Sequence, residues 1–319
     1  MLLVLNYSCL FVLIRGYEVI IRIYCIMIKI VFLGTNGWYD TQAGNTVSIL
    51  IQTPKYDIIL DAGNGFTKIG KYLTFRKPVY LFLSHYHLDH IIGLHTLNKF
   101  NFRKGLYIIG PKGLKKMLNT LVQKPYTFPF SKLPYPTKVY EVKEGWYTIL
   151  FKRCHCEKRD SSLVIARDEV PKQSQDRLET GSAIPLSPFT KGGTRGIFEC
   201  RLLLHPVPTL GYRFQLDGKV ITYCTDTGYC ENAVRLARNA DLLITECAYK
   251  RGMLSSRWPH LNPDEAARLA KTANAKKLML THFDAGLYKT IPERHKAQNQ
   301  ARETFPNAFA ATDNIGIRI

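Results

Sequence analysis

Four side chains that commonly bind metals lie within six consecutive residues of this 319-residue sequence. They form the motif His-x-His-x-Asp-His, which comprises His85, His87, Asp89 and His90. Imidazole and carboxylate groups together suit zinc or a similar divalent ion. In an extended segment His85 and His87 point the same way, whereas Asp89 and His90 lie past a bend. The spacing therefore favours two neighbouring ions, and the alternative is a polar loop that is rich in histidine by chance.

The motif directly follows the apolar run 79–83, which predicts a buried strand with the ligands in the loop at its end. The rest of the chain alternates apolar runs with helical patterns, and Asn262 with Glu265 forms a capping box. Strands are expected at 28–33, 46–51, 56–60, 106–109, 139–142, 147–151, 202–207, 212–216, 220–224, 242–245 and 277–280. Helices are expected at 111–121, 230–238 and 263–273.

The motif, with the apolar segment around Gly93 that follows it, resembles the signature of the metallo-β-lactamase superfamily of binuclear metal hydrolases. The resemblance implies an α/β fold, a four-layer αββα sandwich in which helices cover two packed mixed sheets. It also implies that a later His, a bridging Asp and a final His complete the site, and that Asp61 is a structural support. In order, these later residues are His205, Asp226 and His282.

The same resemblance implies how the ligands are divided between two ions. One ion would be held by His85, His87 and His205, the other by Asp89, His90 and His282, and Asp226 would bridge them. Two ions about 3.5 to 4 Å apart activate a shared water and stabilise a displacement reaction. We expect two divalent ions, with zinc favoured and manganese or iron left open, because the ligand set contains no thiolate.

The second half of the chain is similar to the ribonuclease Z branch, whose members process the 3′ ends of transfer RNA. The stretch 205–214 matches its His…Gly-Tyr-Arg segment, Glu246 stands in its His-Glu-Ala-Thr-Phe position, and His260 stands in its His-Ser-Thr position. By resemblance, Glu246 and His260 cooperate near the scissile phosphate, with His260 as the candidate proton donor. Asp89 is the candidate for orienting the attacking water. The alternative is that Glu246 caps a strand and His260 caps a helix.

Two substitutions relative to ribonuclease Z, Thr245 in place of a His and Leu261-Asn262 in place of Ser-Thr, indicate a relative and not that enzyme itself. The long arm that grips transfer RNA is not recognisable, which leaves the size of the substrate open. We therefore predict a binuclear metal-dependent phosphodiesterase that acts on RNA or another phosphodiester. Within enzymes, the alternative is a hydrolase of a small cyclic phosphodiester, a thioester or a lactam. From another class, the alternative is a nucleic-acid-binding protein with a structural metal site, which is disfavoured because a structural zinc site usually has only four ligands.

The composition bears on partners and location. The 44 Lys and Arg residues exceed the 25 Asp and Glu residues, and the formal charge of +19 favours an anionic partner such as RNA. The alternative is a basic surface without a specific ligand. Eight cysteines without a Cys-x-x-Cys pair indicate no disulfide framework and fit a reducing cytoplasm. No stable membrane association is expected, and a homodimer is left open.

The chain is expected to form one domain over residues 27–319. Residues 1–26 are apolar but match neither a signal peptide nor a membrane span, so we interpret them as an upstream extension or a false start, with a membrane anchor as the alternative. At about 152–199 Ser, Pro, Gly and charged residues dominate, which indicates a low-complexity insertion. No functional role is expected for the Cys-His-Cys cluster at 154–156 within it.

Overall fold

The computed structural model describes residues 27–150 and 196–319, together with the backbone of short strands at 5–6, 9–14, 17–21 and 164–167. The Cys-His-Cys cluster at 154–156 lies outside the described residues. Within the described part of the chain, no helix has the length and apolar composition needed to cross a membrane.

The described strands are short and are numbered here in chain order. They are β1 (Leu5–Asn6), β2 (Cys9–Ile14), β3 (Tyr17–Ile21), β4 (Lys29–Gly34), β5 (Asn36–Gly37), β6 (Ser48–Gln52), β7 (Asp57–Leu60), β8 (Val79–Phe82), β9 (Leu106–Gly110), β10 (Thr137–Glu141), β11 (Gly145–Leu150), β12 (Val164–Arg167), β13 (Gly196–Leu202), β14 (Leu210–Leu216), β15 (Lys219–Cys224), β16 (Leu242–Glu246), β17 (Leu278–Thr281), β18 (Phe283–Asp284), β19 (Ala308–Ala310) and β20 (Gly316–Arg318).

The described helices connect these strands. The α-helices are α1 (Leu88–Ile91), α2 (Leu114–Leu121), α3 (Glu231–Ala237), α4 (Pro263–Thr272) and α5 (Ile291–Arg302), and 3-10 helices occupy Asn64–Lys71, Ile92–Lys99 and Phe130–Lys132. The prediction of a capping box at the start of α4 is confirmed, since the side chain of Asn262 accepts from the backbone amide of Glu265 and the Glu265 side chain accepts in return.

Two large mixed sheets face each other. The first sheet has the strand order β10-β9-β8-β7-β6-β4-β20, and the second has the order β12-β11-β13-β14-β15-β16-β17-β19. Neighbouring strands from β7 to β10 are parallel, as are β15, β16, β17 and β19. Parallel neighbours bring their carboxyl ends to the same edge of a sheet, and the loops that follow them can therefore share a site.

The alternation of side chains along each strand creates four layers. In β4, Ile30 and Phe32 enter the core between the two sheets, where they join residues of the second sheet such as Phe214. Val31 and Leu33 point to the opposite face and pack in a second core under the helices of the first half. A third core packs α3, α4 and α5 against the second sheet. The predicted αββα sandwich is therefore confirmed.

The prediction of a strand over 202–207 is wrong. The strand is β13, which ends at Leu202, and His205 lies in the loop that follows it. Pro206 and Pro208 have no backbone N–H and cannot continue a ladder of hydrogen bonds, which explains why the strand ends before them. His205 is thus positioned by a loop and not by a strand end.

The predicted insertion also ends earlier than expected. Residues 196–199 belong to β13, and Phe198 is fully buried and stacks on Tyr147 with ring centroids 5.0 Å apart. The strands β11 and β13 pair antiparallel, and Ile149 lies opposite Gly196. The two sides of the insertion are therefore adjacent strands of the second sheet.

Helix α5 is absent from the sequence-based prediction. Its start carries a readable signal, because Thr290 and Glu293 form a capping box with a proline between them. Its polar composition obscured the helical pattern, since only Arg294, Ala297 and Ala301 are buried.

Candidate metal centre

Loops at neighbouring strand ends carry all seven predicted ligands. His85 and His87 follow β8, Asp89 and His90 lie in α1, His205 lies between β13 and β14, Asp226 follows β15, and His282 follows β17. Because β15, β16 and β17 are parallel neighbours, the residues after them meet at one edge of the second sheet.

The seven side chains form two compact groups. The potential ligand atoms within each group lie within 4.8 Å of one another. The first ligand group consists of His85, His87, His205 and Asp226, and the second ligand group consists of Asp89, His90 and His282. The structure therefore brings together all the residues that the resemblance to a binuclear hydrolase singled out.

The Asp226 carboxylate lies between the two groups. Its Oδ2 is 3.0 Å from His90 Nε2 and 3.3 Å from His282 Nε2, both in the second ligand group. Its other oxygen, Oδ1, is 3.9 Å from His85 Nε2 in the first ligand group. One carboxylate thus presents an oxygen to each group, which is the arrangement that a bridging ligand needs.

Several buried nitrogen atoms in these groups have no hydrogen-bond partner in the described part of the chain. They are Nε2 of His85, both ring nitrogens of His205 and Nδ1 of His282. Leaving a buried polar atom unpaired costs free energy, so these unpaired ring nitrogens beside clustered ligand atoms indicate a missing partner. Imidazole nitrogens with nearby carboxylates fit divalent cations, and the residues therefore suit the metal ions of a binuclear hydrolase.

The ionisation of the carboxylates and of the first ligand group suits cation binding, whereas nearby carboxylates outweigh burial and raise the pKa of His90 and His282. Burial alone raises the pKa of a carboxyl group, yet the surrounding imidazoles hold the pKa of Asp89 and Asp226 below the usual range. Burial and the neighbouring His90 lower the pKa of His85, and burial lowers the pKa of His205 to about 4. Both carboxylates are therefore ionised, and both of these histidines are in the neutral form that binds metals.

A second carboxylate, Asp61, holds the motif in place from behind. Asp61 is fully buried and accepts hydrogen bonds from the backbone amide and the hydroxyl of Ser84 and from the hydroxyl of Tyr223. It also lies 2.8 Å from His90 Nδ1, so that Nε2 of the same ring is directed to the ligand groups. Carboxylates that orient ligand histidines in this way fix the tautomer of the ring. The prediction that Asp61 supports the site is consistent with these contacts.

Unusual backbone conformations orient two of the later ligands, Asp226 and His282. Asp226 and His282 have φ angles of 49° and 50°, in the left-handed region that residues other than glycine rarely adopt. Such conformations persist only where their surroundings impose them, and they are frequent at active sites. Gly37 packs directly on the His282 ring, because a Cβ atom at this position would lie 2.5 Å from Cε1. Only glycine permits this approach.

His260 and Glu246 form a pair beside the ligand groups. His260 Nδ1 lies 2.9 Å from both carboxylate oxygens of Glu246, which is fully buried and also accepts from the backbone amide of Thr227. The His260 ring lies 5.5 Å from the ring of His205 and 6.1 Å from that of His282. Burial disfavours the imidazolium, but the Glu246 carboxylate outweighs this and raises the pKa of His260 to about 9.

The alternative role considered for His260, a helix cap, does not fit the structure. Helix α4 is capped by Asn262, which lies two residues further along the chain. Glu246 does have a structural contact, the hydrogen bond from Thr227, in addition to its contact with His260.

Two exposed tryptophans border the ligand groups, and the sequence-based prediction missed both. The ring of Trp258 lies parallel to that of His87, with centroids 5.7 Å apart and an interplanar angle of 12°. The backbone amide of Trp38 donates to Asp89 Oδ2 at 2.7 Å. Their positions depend on contacts between distant segments, and neither residue belongs to a motif that could have signalled them.

Comparison with known proteins points to one superfamily. Residues 41–149 match the family model described as metallo-beta-lactamase superfamily. Residues 130–283 match a second model, described as a beta-lactamase superfamily domain. Together the two matched segments contain all seven predicted ligands.

Individual relatives cover nearly the whole chain. The sequence is 28% identical over 294 residues to a ribonuclease Z of Metallosphaera sedula, which covers 90% of this chain and 97% of the relative. The fold is similar to that of the metallo-beta-lactamase fold protein YhfI from Bacillus subtilis, with a TM-score of 0.64, 21% identity and coverage of 92% and 100%. It is also similar to the short form of human tRNase Z, with a TM-score of 0.60, 22% identity and coverage of 91% and 98%. These structural similarities establish a common fold.

Proposed function

The chain belongs to the metallo-β-lactamase superfamily, in its ribonuclease Z-like branch, and on this basis we propose that it is a metal-dependent phosphodiesterase that cleaves RNA. One observation carries the proposal: the two ligand groups lie directly beside the hydrogen-bonded pair of His260 and Glu246. Ion sites and a candidate proton donor are the parts that hydrolysis of a phosphodiester requires.

We propose that the seven ligands hold two divalent ions, with zinc as the favoured identity. In this assignment His85, His87 and His205 hold one ion, Asp89, His90 and His282 hold the other, and Asp226 contributes to both. The unpartnered imidazole nitrogens and the central position of the Asp226 carboxylate support the assignment. When bound, two such ions supply Lewis-acid activation of a water and neutralise charge at the phosphate.

Asp89 is proposed to orient the attacking water. Its Oδ2 accepts a hydrogen bond from the backbone amide of Trp38 at 2.7 Å and lies 3.3 Å from His282 Nε2. These contacts hold the carboxylate in one orientation. Because the acceptor is already positioned, less entropy is lost when it binds a water.

His260 is proposed to donate a proton to the leaving oxygen. Glu246 occupies the Nδ1 side of the ring, which leaves Nε2 as the nitrogen that can donate. The buried carboxylate also prevents the ring from rotating, because both of its oxygens lie 2.9 Å from Nδ1. A positioned imidazole of this kind is a common general acid.

RNA is the proposed substrate for two reasons. Relatives that align over about nine-tenths of the chain are ribonuclease Z proteins. The formal charge of +19 also favours long-range electrostatic attraction of a polyanion such as RNA.

The proposal is tested by substrate choice. The metal-loaded protein is assayed on a transfer-RNA precursor, an unstructured RNA oligonucleotide, bis(p-nitrophenyl) phosphate, a thioester and a β-lactam. We expect turnover of the phosphodiesters alone. Turnover of the thioester or the lactam without any phosphodiester cleavage would contradict the proposal.

Elemental analysis of protein purified without added metal tests the ion assignment. We expect about two zinc ions per chain, as in other binuclear hydrolytic sites. Fewer than one transition-metal ion per chain would contradict a binuclear centre.

A further inference from the structure

Trp258 is held beside the first ligand group, although 47% of its surface is exposed. Its ring lies parallel to that of His87, and its edge faces the ring of His205 at a centroid distance of 5.5 Å. The backbone is also fixed, because its amide donates to Ser255 and its carbonyl accepts from the hydroxyl of Tyr249. The indole is therefore a rigid aromatic surface at the border of the metal centre.

The backbone of Trp38 is held beside the second ligand group, and its ring meets that of Tyr39 edge to face at a centroid distance of 5.1 Å. Its backbone amide donates to Asp89, and Gly37 before it packs on the His282 ring. The residue has a φ angle of 73°, which is a strained conformation for a bulky side chain. With 70% of its surface exposed, the side chain gains little from burial that would offset this strain.

Further exposed apolar side chains belong to the same ligand-bearing loops. Leu88, between His87 and Asp89, is 62% exposed, and Leu204, next to His205, is 50% exposed. Exposed apolar surface that surrounds a polar site usually marks a binding surface. Arg257, next to Trp258, is also exposed and adds a positive charge at this border.

We propose that Trp38 and Trp258 are stacking platforms for the bases of unpaired nucleotides next to the scissile phosphate. This inference rests on the proposed phosphodiesterase function and adds to it the side chains that hold unpaired bases beside the scissile phosphate. A nucleobase is the occupant that fits, because it offers a flat aromatic face joined to a phosphate. The two tryptophans lie beside different ligand groups, Trp258 by its ring and Trp38 by its backbone amide, and each is proposed to hold a base on its own side of a bound phosphate.

A binding experiment separates base stacking from attraction to the backbone. The probes are a fluorescent ten-residue oligoadenylate and an oligomer of the same length that carries abasic residues, both linked by phosphorothioates to slow cleavage. Affinity of the metal-loaded full-length protein is measured by fluorescence anisotropy at one fixed salt concentration. We expect the wild-type protein to bind the oligoadenylate at least about tenfold more tightly than the abasic oligomer, given the usual strength of base stacking on aromatic side chains.

Substitution of each tryptophan then completes a double-mutant cycle. Trp38→Leu and Trp258→Leu are each expected to weaken binding of the oligoadenylate about tenfold and to leave binding of the abasic oligomer nearly unchanged. Phenylalanine at either position should restore most of the affinity, because it keeps an aromatic face. The matched control is Trp146→Leu, in strand β11 opposite Glu199, which should change neither affinity.

Two outcomes would overturn the inference. In the first, the wild-type protein binds both oligomers equally well. In the second, Trp258→Leu loses metal and weakens both oligomers alike, which would make the ring a structural support of His87. Failure of the proposed function is a different result: a metal-loaded wild-type protein that cleaves no phosphodiester, whatever its preference for bases in the binding assay.

Discussion

The proposed two-ion centre depends most on Asp226. Its two oxygens face different ligand groups, at 3.0 Å from His90 Nε2 and 3.9 Å from His85 Nε2. Replacing an ionised carboxylate with an amide keeps the shape of the side chain but removes the charge that would attract the two proposed ions.

We therefore predict that Asp226→Asn lowers the bound metal to one ion per chain or less and abolishes phosphodiester turnover. Elemental analysis and circular dichroism measure metal content and folding. Asp217→Asn, in the turn between β14 and β15, is the matched control and should keep both ions. A folded Asp226→Asn protein with full activity would instead favour the alternative of a nucleic-acid-binding protein with a structural metal site.

His260 can be distinguished from a purely structural residue by the choice of leaving group. A ribose oxygen needs a proton as it leaves, whereas p-nitrophenolate is stable without one. Removal of a general acid typically costs about 10² to 10⁴ in rate when the leaving group needs the proton.

For His260→Ala we predict a loss of this size in kcat on RNA and a much smaller loss on bis(p-nitrophenyl) phosphate, with metal content unchanged. Glu246→Gln should show the same pattern with a smaller loss, because the ring keeps a partner for Nδ1. His295→Ala, at an exposed position of α5, is the control. Equal losses on the two substrates would show that His260 only maintains the shape of the site.

Helix α5 braces the segment that carries Trp38. Arg294 is fully buried and donates from Nη1 to the hydroxyl of Thr35 at 2.8 Å and from Nη2 to the side-chain oxygen of Asn36. Its guanidinium lies over the ring of Phe283 at 5.0 Å from the centroid. Asn36 in β5 and Phe283 in β18 are paired, and Arg294 contacts both of them. The helix therefore holds the segments next to Trp38 and His282.

We predict that Arg294→Met weakens binding of one of the two ions about 10- to 100-fold, the range found when outer contacts of a metal site are removed. Competition with a chelator measures the two affinities separately. The control is Arg302→Met in the same helix, which removes a hydrogen bond to the carbonyl of Ala308. If both substitutions changed metal affinity equally, general destabilisation of the helix would explain the result.

The predicted insertion connects two antiparallel neighbouring strands, where a hairpin turn would otherwise lie. Strands β11 and β13 are antiparallel neighbours in the second sheet, and Ile149 and Gly196 lie opposite each other. The entropy of closing a flexible loop grows only with the logarithm of its length, so a long connection here costs little more than a short one. Strand β12 pairs with the other side of β11, at the edge of the sheet.

Deletion of residues 153–194, replaced by a short Gly-Ser linker, is predicted to leave metal content and turnover of bis(p-nitrophenyl) phosphate nearly unchanged. A deletion extended through Phe198 should fail to fold, because it removes a fully buried side chain from β13. Cleavage of both substrates is measured for the shorter deletion. Loss of RNA cleavage with retention of small-diester cleavage would show that the insertion is a substrate arm.

Local patterns were sufficient to predict the ligand types and most of the strands. The motif from His85 to His90 is contiguous, and metal chemistry allows few residue types at such positions. A continuous apolar run marks strands such as β4 because both faces of the first sheet are covered. The cap at Asn262 was predictable for the same reason, since it depends on neighbours in the sequence.

Contacts between distant segments decided the remaining features. His205 leaves its strand early, and its place in the first ligand group depends on the path of a whole loop. Trp258 meets His87 across 171 residues of sequence, and Arg294 meets Asn36 across 258. Such pairs have no local pattern, because their geometry arises only when two sheets and their helices pack together. The chemistry of the centre was therefore readable from residue types, whereas its exposed aromatic border and its bracing required the folded chain.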